Sequence, residues 1–295
     1  MGMAAVSFEM GSGASRTDWD ATSLELLATT LERWQLTPGQ TLTGGVSALV
    51  LEVTQANGSP AVLKLGFPHV EAIGEALGLE AFGPELAPRV LRQDAWTWAL
   101  LLESVMPGTS LLDPELAMDD ALAAAAALHT RLTARRAPGG IPTLASAMSH
   151  YSRGAVSRLP AQLPALESLG VAELVRAGIA QLGSLAADDV PPVLLHGDFN
   201  PNNVLRSGDG WRVIDPKPLV GDPAYDLWPL VAQLPGETLR YRVGRMAELT
   251  GLSAERIVAW GLVRTALDVS WALEDGLDAE AQAASLREWS ALTQS

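Results

Sequence analysis

The chain has 295 residues, 48% of them hydrophobic and 18% charged, with a formal net charge of −14 and no cysteine. This balance excludes a disordered chain, a disulfide framework and a thiolate metal site, and the acidity weighs against a nucleic-acid partner, which needs a basic face. No apolar run approaches the roughly 20 residues of a membrane-spanning helix, and the first twenty residues lack the basic start and apolar core of a secretory signal, so the sequence reads as a cytoplasmic globular protein with no membrane partner.

Taken in chain order, residues 1–16, with GSGAS at 11–15, read as a loose tail. Leu24, Leu27, Leu31 and Trp34 then recur at helical spacing, with Asp20 and Thr22 as candidate caps. From 41 to 66 the pattern turns strand-like, and Asn57-Gly58 between two β-branched runs predicts a hairpin. A helix is predicted over 70–82 and a buried strand over WTWALLLESV, 96–105. Pro107-Gly108 then breaks the chain, and DDALAAAAALHTRLTARR, 119–136, is rich in strong helix formers. The Pro- and Gly-containing stretch 137–164 predicts a long irregular connection, followed by a helix near 166–186, a hairpin around SGDG at 207–210 and at least three further helices. The division is a β-rich part over 1–105 and a larger helical part over 106–295, an α+β chain of two lobes.

The segment LLHGDFNPNNVL, 194–205, interrupts an apolar run with polar residues that a turn alone does not require. Asp198, Asn203 and Asp215 stand at 0, +5 and +17, with the predicted hairpin between the last two. Phosphoryl transfer needs such a set: one carboxylate to take a hydroxyl proton, and oxygen ligands for the Mg²⁺ that neutralises a triphosphate. Asn200 and Asn202 are ordinary turn residues, and the interval of five selects Asn203 over Asn202. Lys64 lies in the apolar strand AVLKLG, where an unpaired ammonium is costly. A strand lysine paired with a helix glutamate and the nucleotide phosphates satisfies it.

HGDFNPNN (196–203), WRVIDPKPLVGDPAYD (211–226) and LLLESVMPGTSL (101–112) resemble the aminoglycoside phosphotransferase family, in particular its streptomycin 6-kinase and hydroxyurea phosphotransferase-like branch. The likeness extends more weakly from about Thr41 to Trp271. It implies a two-lobed, protein-kinase-like fold, with ATP and Mg²⁺ as cofactors and a hydroxyl-bearing small molecule as acceptor. Asp198 matches the catalytic base, Asn203 and Asp215 the metal ligands, Glu75 the helix partner of Lys64, and Asp226 an aspartate that ties the catalytic loop's backbone. His196 braces that loop. For Asp222, an N-cap before Pro223 is the simplest reading.

TGGVSALV, 43–50, is a Gly-rich turn suited to lying over phosphates. Ala48 stands where the family pattern often has Asn, which leaves Ser47 as the side chain to contact them. In the connector LLLESV, Glu103 C=O and Val105 N–H would pair with the adenine edge. Lys217 fits a phosphate contact and a solvated loop lysine equally. His69, His129 and His150 lack ligand spacing and receive no metal. Asp268, Trp271, Glu274 and Asp275 share a predicted helix face, so carboxylates could flank a tryptophan and attract a cationic acceptor. The readings left open are a kinase for an aminoglycoside, a kinase for a sugar or amino alcohol, and a catalytically silent nucleotide-binding protein, against which the intact Asp198, Asn203, Asp215 and Lys64 argue.

Overall fold

The computed structural model describes residues 16–42, 48–66, 74–94, 96–187, 190–208 and 210–294. In chain order it has α1 (Arg16–Trp34), β1 (Thr37–Leu42), β2 (Ala48–Thr54), β3 (Pro60–Gly66), α2 (Glu75–Phe82), β4 (Val90–Asp94), β5 (Ala99–Glu103), β6 (Pro107–Ser110), α3 (Met118–Thr133), α4 (Leu144–Ser168), α5 (Ala172–Ala187), β7 (Val193–Leu195), β8 (Val204–Ser207), β9 (Gly210–Val213), β10 (Leu219–Gly221), α6 (Leu227–Gln233), α7 (Leu239–Thr250), α8 (Ala254–Glu274) and α9 (Glu280–Ala291). Single 3-10 turns cover Pro201–Asn203 and Pro223–Asp226. Among the described residues no helix is long and apolar enough to cross a membrane.

The chain divides into two compact units, the first running to Thr109 and including Leu205–Lys217, the second comprising Ser110–Val204 and Pro218–Ser295. The sequence partition at 105/106 contains no such return. The returning segment joins the first unit through its backbone: Gly208 N–H donates to Met106 C=O at 3.0 Å and Val213 N–H to Leu86 C=O at 2.7 Å.

The first unit is built on an antiparallel sheet of order β1-β2-β3-β5-β4. The period-2 alternation of a strand sends Leu51, Val53, Ala61, Leu63 and Leu65 into a core shared with Trp34, Leu36, Ala99 and Leu101. Lys64, between Leu63 and Leu65, therefore projects from the opposite face. The β2–β3 turn closes where Asn57-Gly58 predicts it: Gly58 takes φ 83 and the Asn57 carboxamide accepts from Ser59 N–H at 2.9 Å. The strand expected over 96–105 is shorter. It starts at Ala99, because Asp94 accepts from Trp96 N–H at 2.9 Å in a turn and Trp98 takes φ 55, leaving Trp96 74% exposed. Of the helix expected over 70–82, the described part is α2; residues 67–73, the tail 1–15 and the Gly-rich turn 43–47 lie outside the described residues.

The second unit is helical. The irregular connection expected over 137–164 is instead mostly α4, which runs through Pro160 and Pro164. Each proline removes an N–H and crowds the preceding turn, but here tertiary packing overrides that cost. Thr143 caps the start by accepting from Ser146 N–H, and Leu144, Met148, Ala155 and Leu166 are buried. Gln162 holds the proline-containing turn by donating to Ser270 C=O at 2.8 Å and accepting from Ser270 Oγ at 2.9 Å. The helix expected near 166–186 begins at Ala172, after Gly170 at φ 67 ends the preceding one.

At the centre of this unit α8 buries eleven side-chain positions, from Ile257 to Ala272. Two glycines permit close approach to it. A Cβ at Gly178 would lie 2.6 Å from the Ala266 Cβ, and one at Gly261 would lie 2.4 Å from the Trp289 ring. Gly261→Ala therefore overpacks the α8–α9 contact against a fully buried tryptophan. It should cost about 1–3 kcal/mol of unfolding free energy, read as a lowered urea midpoint with unchanged slope.

Candidate active site

In the first unit, β3 presents Lys64 to α2 and to the segment that follows β9. Its Nζ lies 2.8 and 2.7 Å from the two Glu75 oxygens and 2.5 Å from Asp215 Oδ1. Burial alone would lower the Lys64 pKa, but Glu75 and Asp215 outweigh it and hold the ammonium above its ordinary value. Glu75 is buried, whereas the Asp215 side chain is 39% exposed. Asp215 takes φ 56, a conformation uncommon for a residue other than glycine. Lys217 is near enough for its charge to act on Glu75. Glu103 ends β5, where its side chain meets Arg212 at 3.3 Å and its N–H donates to Arg89 C=O. Val105 precedes the Gly108 turn, whose glycine is required: a Cβ there would lie 2.8 Å from Val105 C=O. Ser47 lies outside the described residues.

In the second unit, β7 pairs with β10 and delivers the chain to His196-Gly197-Asp198. Asp226, fully buried, accepts from two successive amides, His196 N–H at 2.7 Å and Gly197 N–H at 2.8 Å. The His196 ring is also fully buried, and its Nδ1 is 3.3 Å from Asp198 N. Asn200 Nδ2 donates to Asp198 Oδ1 at 3.0 Å, and Asn203 Nδ2 donates to the Asp198 carbonyl at 2.9 Å.

Three further supports hold this loop, and of these only the Asp222 cap is expected from the sequence. His129 on α3 is buried and bonds Pro223 C=O through Nε2 at 3.0 Å. Burial pulls its pKa down to about 4, so it is neutral at pH 7. The Phe199 ring lies between the His129 and His196 rings, 5.9 Å from each. Asp222 caps the Pro223–Asp226 turn through Ala224 N–H and also receives Arg256 Nε and Trp260 Nε1, both at 2.5 Å. A lone histidine in an alanine-rich helix carries no motif, and the spacing of 222 to 256 and 260 signals nothing until α8 is placed.

Of the face expected at Asp268, Trp271, Glu274 and Asp275, the first three follow one another at intervals of three on α8. Glu274 pairs with Arg158 at 3.2 Å, and Asp275 leaves the helix as its C-terminal cap. Asp268 stays near the loop. Burial pushes its carboxyl up to about 6, Arg264 opposes the shift, and the charge of Asp198 adds to it. Trp271 packs edge to face on Tyr151 at 5.3 Å.

Residues 33–276 match the family described as aminoglycoside/hydroxyurea antibiotic resistance kinase. The chain belongs to that family. It is 37% identical over 251 residues to a hydroxyurea phosphotransferase of Kitasatospora aureofaciens, covering 83% of this chain and 72% of that protein. It is 30% identical over 285 residues to a streptomycin 6-kinase of Streptomyces griseus, covering 93% and 91%. The solved GDP and kanamycin complex of APH(2")-IIia is similar in fold, with a TM-score of 0.65 at 15% identity, covering 91% of this chain and 99% of that one. This family member is accordingly a small-molecule O-phosphotransferase with a kinase-like fold, an antiparallel β-sheet lobe and a helical lobe.

Two outcomes follow from this geometry. Lys64→Met leaves buried Glu75 without its cation and should destabilise the fold by about 3–5 kcal/mol in chemical denaturation, with partial recovery in Lys64→Met/Glu75→Gln. Burial pushes the Asp226 carboxyl up to about 7, against its two amide hydrogen bonds and with the charges of Asp198 and Asp222 adding. From about pH 4 to 7 the unfolded chain has lost this proton while the folded one keeps it, so stability falls as pH rises through the window and levels off above it. Asp268 acts in the same sense up to about pH 6. In Asp226→Asn the urea midpoint should be lower overall but should decline less between pH 5 and 7 than in wild type.

Proposed function

We propose that this phosphotransferase moves the γ-phosphoryl group of ATP to a hydroxyl of a small antibiotic-like molecule, with a streptomycin-like aminoglycoside as acceptor. The observation that carries this reading is the Lys64 ammonium held by both Glu75 and Asp215. A silent protein has no use for a cation so costly to bury, whereas a nucleotide triphosphate needs one held at a fixed point. The relatives' names support the acceptor class, and the GDP in the fold neighbour supports a nucleotide as donor.

Asp198 accepts the proton of the acceptor hydroxyl as that oxygen attacks the γ-phosphorus, and the bond to the β-bridging oxygen breaks to release ADP. Lys64 binds the α- and β-phosphates, Glu103 C=O and Val105 N–H take the adenine edge, and Ser47 takes a phosphate. Asn203 Oδ1 and the Asp215 carboxylate would hold Mg²⁺. Both are hard oxygen donors, which suit an ion that keeps waters and shares substrate phosphates. When bound, that ion neutralises charge on the transferring group. Asp226 and His196 fix the loop that carries Asp198, so little reorganisation is left for the moment of reaction.

A second reading has its own observation. Glu274 is compensated by Arg158, and Arg264 acts on Asp268, so the attraction for a polycation expected from the acidic stretch is weakened. A small neutral acceptor such as hydroxyurea fits that balance.

A coupled ADP-release assay over streptomycin, hydroxyurea, simple sugars and amino alcohols tests both readings. Asp198→Asn should lower kcat by about 10²–10⁴ on whichever acceptor turns over, with nucleotide affinity little changed. Turnover of a sugar or amino alcohol alone would instead support the metabolite kinase.

A further inference from the structure

Along the largely buried α8, the partly buried positions Arg264, Asp268 and Trp271 follow at intervals of four and three and form one stripe. The Arg264 guanidinium carbon lies 5.1 Å from the Trp271 ring centroid, 5.5 Å from Tyr151, 5.6 Å from Trp228 and 5.7 Å from Tyr225. The Tyr151 and Trp271 rings stand at 89° to one another, so two of the walls meet at a right angle. The four rings come from α4, the Pro223–Asp226 turn, α6 and α8, all within the roughly 6 Å at which a ring face attracts a cation. A box of this kind is a general way to hold an organic ammonium or guanidinium. Here the protein fills it with its own side chain. Asp268, one turn further on, interacts with both Arg264 and Asp198, which puts the box within electrostatic reach of the loop that carries Asp198.

We propose that Arg264 is a specificity-determining residue, because its guanidinium occupies an aromatic box within electrostatic reach of the Asp198 loop and denies that box to any cationic group of the acceptor. The uncharged, hydroxyl-bearing part of an acceptor can lie against the rims of the partly buried Tyr151, Trp228 and Trp271 rings and donate to Asp268. Its ammonium or guanidinium groups are repelled by Arg264 and must point elsewhere, which selects the hydroxyl brought to Asp198. The consequence for phosphorylation rests on the phosphotransferase reading above; the occupancy of the box does not.

The experiment is a calorimetric titration with tetramethylammonium, which suits the box and has no hydroxyl to phosphorylate. Wild type and Arg264→Lys should show no saturable binding. Arg264→Ala should bind at least about tenfold more tightly than wild type, equivalent to about 1.4 kcal/mol, and Arg264→Ala/Trp271→Ala should lose that gain. Arg264→Ser and Arg264→Gln are titrated alongside, and thermal melts identify which variants fold. If every folded neutral variant binds no better than wild type, or if the gain survives loss of Trp271, the proposal is wrong. A matched pair of acceptors differing only by an amino or hydroxyl group separates the two readings. If the neutral variants gain tetramethylammonium but neither acceptor is phosphorylated by wild type, the acceptor assignment fails and the box stands.

Discussion

A single buried carboxylate organises the second unit. Asp226 receives two consecutive main-chain N–H groups, and two successive amides pointing at one carboxyl leave the chain at 196–197 little freedom. That constraint decides where Asp198 emerges. Asp226 is itself fixed because the turn it ends is clamped at its other end, where Asp222 holds Ala224 N–H, Arg256 and Trp260. His129 secures the carbonyl between them. Remove these braces and Asp198 still exists in the sequence, but nothing aims it.

The first unit solves a different problem with similar means. An ammonium taken from water needs partners of good geometry, and Lys64 has two carboxylates, one from a helix and one from a segment 151 residues away in sequence. Such clusters are weak contributors to net stability. Their value lies in a charge that is already in position before a ligand arrives, so that binding energy is not spent on moving it.

How much of this was readable in advance depends on where each residue's partner lies. The interval from Asp198 to Asn203 and the hairpin before Asp215 are local, so spacing alone exposes them. Lys64 betrays itself by standing in an apolar strand, whereas Glu75 is chosen over Glu80 of the same helix only by the family resemblance. The β2–β3 turn is equally local, with Asn57-Gly58 naming its own geometry. By contrast, α4 contradicts its own sequence, because the packing that carries it through Pro160 and Pro164 comes from α8, more than a hundred residues later. The partner of Glu274 is distant for the same reason: Arg158 lies 116 residues earlier. His129 offered no signal at all, since its partner is a backbone carbonyl.

One helix therefore carries two duties. Arg256 and Trp260 of α8 brace the loop, while Arg264 and Asp268, the next two steps of four, continue the same ridge. Trp260 is fully buried and, with Arg256, committed to Asp222, whereas Arg264 lies among four aromatic rings with Asp268 one turn on. Exchanges at 264 or 268 can alter what the surface tolerates without touching the struts one and two turns below. The clamp on the catalytic loop and the aromatic box thus occupy successive turns of one helix, so that substitutions in either can be made and measured separately.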